Sequence, residues 1–186
     1  MADKVGTVEF IIAGFGGQGV LFIGRALAFA GLARDVNVSF IPSYGPEMRG
    51  GTANCKVVVS DGEVGSPIVE EPDVLIAMNR PSLERFVNTV KPGGTVFVNS
   101  SLIENEVERG DIKAYRVPFN ELAREAGAER VANLAALGAY VASQDFFTLE
   151  DMEGAVKEMV KGKRVELMEA NLKALRAGYD FVRNLA

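Results

Sequence analysis

Between Glu9 and Arg25 the chain runs 15 residues without a charge, and five of them are glycine. Spanning a bilayer takes about 20 apolar residues, so the stretch is too short for a membrane helix. It reads instead as a buried strand, a turn and a buried helix. The turn is Gly14-Phe15-Gly16-Gly17-Gln18-Gly19. This G-x-G-x-x-G pattern is informative because a predicted strand precedes it and a predicted helix follows. Glycines allow a tight bend and let backbone N–H groups approach a ligand. The helix start adds partial positive charge, which favours an anion such as a pyrophosphate. The other reading is a turn that only lets helix and strand pack.

Predicted strands are Val8–Ala13, Val36–Ile41, Ala53–Ser60, Val74–Met78, Thr95–Asn99 and Ala114–Pro118. Runs such as Phe10-Ile11-Ile12-Ala13 and Val74-Leu75-Ile76-Ala77 are apolar throughout, as in a parallel sheet covered on both faces. Helical patterns at Gly17–Ala33 and Ser82–Val90 complete β-α-β units, which argues for an α/β fold. Only 11 residues separate Ile41 from Ala53, too few for a crossover helix. The third strand is therefore expected to be antiparallel or at an edge. From Asn120, expected to cap a short helix, the chain turns helical. Glu129–Ser143 is a second helix, and Thr148 with Asp151 forms a capping box for a third. The last helix, Arg164–Leu185, carries Val165, Met168, Leu172, Leu175, Tyr179 and Val182 at 3,4,3,4,3 spacing. That stripe packs on the domain's own sheet or forms a seam against another subunit.

Absences narrow the chemistry. The chain has no His and one Cys, Cys55. A Ser-His-Asp triad, a Cys-His dyad, a His-carboxylate zinc site and a four-thiolate iron–sulfur cluster are all beyond it. A net charge of −5 gives no basic face for nucleic acid. The N-terminus has no signal-peptide pattern, and the single Cys fits a reducing, cytoplasmic setting. Cys55 alternates with Val57 and Val59 and reads as a small core residue.

An ordinary NAD site wants an acidic residue after the second strand, where this chain has Ile41-Pro42-Ser43. Gly19 is followed by Val20-Leu21, so there is no Walker A loop either. A second motif, Ser43-Tyr44-Gly45-Pro46-Glu47-Met48-Arg49-Gly50-Gly51, joins turn formers to Tyr, Glu and Arg. Arg49 can clamp a phosphate or carboxylate bidentately; the plain reading is an exposed loop. Asn79-Arg80 and Asn99-Ser100 follow predicted strands. They converge with the Gly-rich bend if the sheet is open and parallel. No acid–base pair stands out.

These motifs, with Asn133-Leu134-Ala135-Ala136-Leu137-Gly138, resemble the gamma subunit of 2-oxoacid:ferredoxin oxidoreductases. The same module is a domain of single-chain pyruvate:ferredoxin oxidoreductases and the small subunit of indolepyruvate oxidoreductases. The likeness runs from about Val8 to Ser143; Met48 stands where such proteins often have a small residue. The resemblance implies one domain over residues 1–186, a Rossmann-like three-layer α/β fold with a mostly parallel mixed sheet and a helical C-terminus. It implies a non-autonomous enzyme subunit, with alpha, beta and delta-type subunits as partners and ferredoxin met indirectly. Thiamine diphosphate, magnesium and iron–sulfur clusters are implied on those partners. Coenzyme A contact is expected at Gly16, Gly17, Gln18 and Gly19, with Gly14, Ser43, Tyr44, Arg49 and Asn79 as further cofactor-binding candidates. Among substrates 2-oxoglutarate is favoured, because a separate short gamma chain is common in that group. An isolated copy could also pair with itself. Two other readings stay open: a stand-alone nucleotide-binding or NAD/flavin module, and a purely architectural interaction domain.

Overall fold

The computed structural model describes residues 6–43, 52–161 and 165–185. Six strands form one sheet in the order β2-β3-β1-β4-β5-β6. They are β1 (Thr7–Phe15), β2 (Asn37–Ser43), β3 (Thr52–Ser60), β4 (Val74–Ala77), β5 (Thr95–Asn99) and β6 (Lys113–Val117). β1, β4, β5 and β6 are mutually parallel. β3 runs antiparallel to both β1 and β2. It sits between them, so the edges are β2 and β6, not β3. The antiparallel alternative held because a short link can return the chain but cannot cross it over.

The helices are α1 (Val20–Ala33), α2 (Arg80–Phe86), α3 (Phe119–Glu125), α4 (Ala132–Ala142), α5 (Leu149–Met159) and α6 (Val165–Arg183). The expected helix from Glu129 breaks into a 3₁₀ turn, Glu129–Val131, followed by α4. Asn120 caps nothing. Pro118 occupies the N-cap of α3 without a side-chain bond, and Asn120 lies inside the first turn. Its Oδ1 instead accepts from Asn99 Nδ2 at 2.9 Å. The Thr148–Asp151 capping box is present.

Alternation along the strands splits the core in two. Phe10, Ile12, Cys55, Val57, Ile76 and Phe97 face a thick layer made by α1 and α3 to α6. Tyr140 of α4 meets Phe10 edge-on at 5.1 Å there. Ile11, Ala13, Val58, Leu75 and Val98 face the other way, towards α2 and the loops around Val69 and Ile103.

The stripe on α6 packs into the chain's own core and meets the sheet at β6. The helix packs chiefly on α4, which covers the sheet. Gly138 and Gly178 make that approach close: a Cβ on Gly138 would overlap the Leu175 carbonyl, and one on Gly178 the Ala135 carbonyl. Leu175 and Val182 are buried inside the chain itself. No described helix is long and apolar enough to cross a membrane.

Candidate functional site

From β1 the chain leaves through α1 towards β2, and from β4 through α2 towards β5. The two connections part at the β1/β4 boundary, the place where open α/β sheets bind ligands beyond the strand ends. The Gly-rich bend stands there. Its glycines differ in what they do. Gly14 is buried, and a Cβ on it would press on Met78 Cβ at 2.8 Å. Gly17 has φ +93° with open space around it, and Gly19 has φ +75° beside the Asn133 side chain. Both occupy the left-handed region that glycine enters at no steric cost. Phe15, Gly16 and Gly17 are exposed.

Gln18 turns inward and ties the bend down. Its Oε1 accepts from the Phe15 N–H at 2.6 Å and from Asn79 Nδ2 at 3.0 Å. Its Nε2 donates to the Met78 carbonyl at 3.2 Å. Asn79 is buried and caps α2 through Oδ1, which accepts from the Ser82 N–H at 3.0 Å. The Met78 carbonyl also accepts from Asn99 Nδ2 at 3.2 Å. Carboxamides thus stitch together the ends of β1, β4 and β5 and the start of α3, without a charge in the seam. Arg80 turns away to pair with Glu84 at 2.6 Å. The Ser100 N–H bonds the Val117 carbonyl.

Above this seam lies a cleft of about 220 Å³ lined by Gly17, Gln18, Met78, Asn120, Glu129, Arg130 and Ala132. Helix α1 opens on it through Gly19, with no side-chain cap and no acidic residue in its first turn. Helix α4 begins at its rim. Two helix starts and the exposed Arg130 therefore bring positive potential to it, while Glu129 opposes. Asn120 has its oxygen committed to Asn99, which leaves its amide N–H groups for the cleft. The volume is below the roughly 300–1,000 Å³ of pockets for whole drug-sized molecules. It suits an anionic head group whose remainder lies outside.

The bend, Asn79 and Asn99 come together as their positions after strands suggested. Ser43 does not join them; it ends β2 and lines a cleft on the opposite sheet face. Tyr44 and Arg49 lie outside the described residues. Sequence reasoning missed Asn120, Glu129 and Arg130. The available signal was a polar pair, Glu129-Arg130, immediately before the uncharged run Val131–Ala142. A helix so apolar must be buried, and its polar start must face an edge. Cys55 is buried and its thiol is pushed up to about 12 by burial, against a backbone hydrogen bond at Gly24. That rules it out as a nucleophile at neutral pH. Among the described residues, no three His, Cys, Asp or Glu gather to hold a metal ion.

A family model described as pyruvate ferredoxin/flavodoxin oxidoreductase matches residues 9–181. The chain is similar to the ketoisovalerate oxidoreductase subunit VorA of Methanothermobacter marburgensis, at 42% identity over 177 residues. That match covers 95% of this chain and 37% of the relative. The chain thus spans little more than a third of the length of such relatives. It is 36% identical over 181 residues to the 2-oxoglutarate synthase subunit KorC of the same organism, covering 94% of this chain and 96% of that one. Among solved structures, the gamma subunit of a keto/oxoacid ferredoxin oxidoreductase from Geobacter sulfurreducens PCA superposes with a TM-score of 0.81. It is 29% identical and covers 96% of this chain and 99% of the other.

Proposed function

Given that the chain belongs to the pyruvate ferredoxin/flavodoxin oxidoreductase family, we propose that it is the gamma-type subunit of a 2-oxoacid:ferredoxin oxidoreductase and that its bend receives the diphosphate of coenzyme A. The observation that carries this is the open backbone at Gly17, facing a cleft where two helix starts and Arg130 converge. A diphosphate fits the donor set: backbone N–H groups at the start of α1, the Asn120 amide and a guanidinium. Coenzyme A supplies the thiol that accepts an acyl group. This chain's part is to hold the nucleotide end while the thiol reaches chemistry on other subunits. Arg130 pairs with phosphate charge, Asn120 orients it, and Gln18 keeps the bend in shape from beneath.

Among the described residues no acid–base pair stands out, and the single thiol lies in the core. In this reading thiamine diphosphate, magnesium and iron–sulfur clusters sit on alpha, beta and delta-type companions, with ferredoxin reached through them. A cytoplasmic setting follows from the same reading. The substrate is a 2-oxoacid, branched-chain or 2-oxoglutarate, and not 2-oxoglutarate alone, because relatives named for ketoisovalerate and for 2-oxoglutarate both match over nearly the whole chain.

The test uses the assembled enzyme with Gly17→Asp in this subunit. Acyl-CoA formation is measured against coenzyme A concentration. The expected result is a KM for coenzyme A raised at least about tenfold, since a carboxylate then stands where an anion should dock; 1.4 kcal/mol already gives a factor of ten. An unchanged KM in an intact complex removes coenzyme A from the bend. Lost assembly with an unchanged KM returns the loop to a packing role.

A further inference from the structure

The two faces of the sheet are covered unequally. One carries five helices. The other carries α2, seven residues long, and loops. Among the described residues no helix covers this second face over β2 and β3; Val58 and Asn54 of β3 are buried there, Val58 in a cluster with Val69, and the face opens at Ile41 and Lys56. Register places Ile11, Lys56 and Ile41 side by side across β1, β3 and β2 on that face. A cleft of about 360 Å³ opens there, with Ile41, Asn54 and Lys56 as its floor and Ile68, Arg85 and Phe86 as its wall. Ile68 is 59% exposed and Ile41 37%. The Arg85 guanidinium lies 5.2 Å from the Phe86 ring. Among the described residues, neither Lys56 nor Arg85 makes an ion pair.

An antiparallel edge such as β2–β3 can face water on one side, with polar residues outward; here Ile41 is exposed there instead, beside the exposed Ile68. Large aliphatic side chains exposed together at the mouth of a cleft, here Ile41 of β2 and Ile68 of the loop beside it, mark an interaction surface. The charge says what kind. Two cations stand together on a chain whose net charge is −5, so the complementary surface is locally acidic. The isoleucines require that it also be apolar, which a protein provides and a bare polyanion does not. We infer that the cleft at Ile41, Lys56, Ile68 and Arg85, on the β2–β3 side of the sheet, is the docking surface for a companion subunit of the oxidoreductase, one that presents carboxylates beside apolar side chains. This rests on the reading of the chain as a non-autonomous subunit. It adds which face meets the companion.

The test purifies the complete complex through a tag on a companion subunit and measures how much of this chain is retained. Arg85→Glu combined with Lys56→Glu, and separately Ile68→Asp, are compared with Leu32→Asp, an exposed position on α1. Thermal melts of the free variants check that each is folded. The expected result is at least a tenfold loss of retention for the first two at physiological salt, and wild-type retention for Leu32→Asp. Hydrogen exchange of β2 and β3 should slow on assembly. Wild-type retention of both face variants overturns the inference and leaves the coenzyme A reading untouched. Exchange that is unchanged on assembly also overturns it. A dimer of the free chain, broken by these same substitutions while companion retention stays intact, assigns the face to a second copy and overturns it as well. If the unaltered chain is not retained, the subunit reading fails and this inference goes with it.

Discussion

Glycine serves two opposite purposes in this molecule. Between α4 and α6, Gly138 and Gly178 are glycine because a backbone carbonyl of the facing helix fills the space where a Cβ would go. At the bend, Gly17 is glycine although nothing lies within 4 Å of its would-be Cβ. There the demand comes from φ +93°, and the space beside it is left for something else. The first pair is about holding the helices together; the second position is about keeping a backbone shape open to a ligand. Substitutions that look alike on paper should therefore separate into stability effects and binding effects.

The largest effect is expected at the helix contact. Gly138→Ala or Gly178→Ala must push α4 and α6 apart, because the clash is with backbone and no rotamer relieves it. Overpacking of this kind costs about 3 kcal/mol or more, which lowers Tm by roughly 6–12 °C in a domain this size. Thermal denaturation of the free chain reads it directly. A Tm within a degree of wild type would show that the helices have slack and would erase the distinction.

At the bend the costs should be smaller and should divide. Gly19→Ala meets both a left-handed φ and the Asn133 side chain, 2.7 Å from the new Cβ. About 2 kcal/mol is expected from the two together. Adding Asn133→Ala should recover the contact part and leave the conformational part. Gly17→Ala carries only the φ penalty, about 1 kcal/mol, yet it should weaken coenzyme A more than Gly19→Ala does per unit of stability lost. If the two alanines track each other in both melting and coenzyme A KM, Gly17 has no special relation to ligand.

Gln18 sharpens the contrast from beneath. Gln18→Glu keeps an acceptor for the Phe15 N–H but loses the Nε2 donor and sets a carboxylate oxygen against the Met78 carbonyl. About 1–2 kcal/mol of destabilisation is expected. Backbone amide exchange protection at the ends of β4 and β5 should drop with it, since the Met78 carbonyl accepts from both Gln18 and Asn99.

Much of this was legible beforehand, and for identifiable reasons. Strand positions emerged because β-branched runs between turn formers have few alternatives. The capping box at Thr148 was readable because its two bonds depend on residues three apart. The β3 position between β2 and β1 was not, since a short link specifies direction but not which neighbour pairs on the far side. The role of Asn120 was misjudged because its decisive partner, Asn99, is 21 residues away. The same applies to the site. Its glycines are contiguous in sequence, whereas Arg130 arrives through the packing of α4, and no local pattern encodes that approach. The Gly138–Gly178 contact was hidden likewise: the 3,4 spacing of large side chains pointed to a stripe, while small residues made the closest approach.

The smallest expected effect asks whether α6 is held by that close approach or by charge. Glu153 on α5 receives Arg176 of α6 at 2.6 Å and Lys157 at 3.3 Å. The hydrogen bond from Arg176, opposed by partial burial and helped by Lys157, holds its carboxyl below the ordinary value of 4.5. A carboxylate lowered on folding stabilises the fold above its unfolded pKa and loses that contribution as pH falls through the folded one. Glu153→Gln should therefore cost stability at pH 7 and cost nothing near pH 3, with the wild-type and variant melting curves converging between about pH 5 and 3. Solvent screening limits the neutral-pH difference to about 1 kcal/mol at most, well under the penalty at Gly138 or Gly178. A pH 7 loss rivalling the glycine substitutions would make the ion pairs, and not backbone proximity, the main fastening of α6.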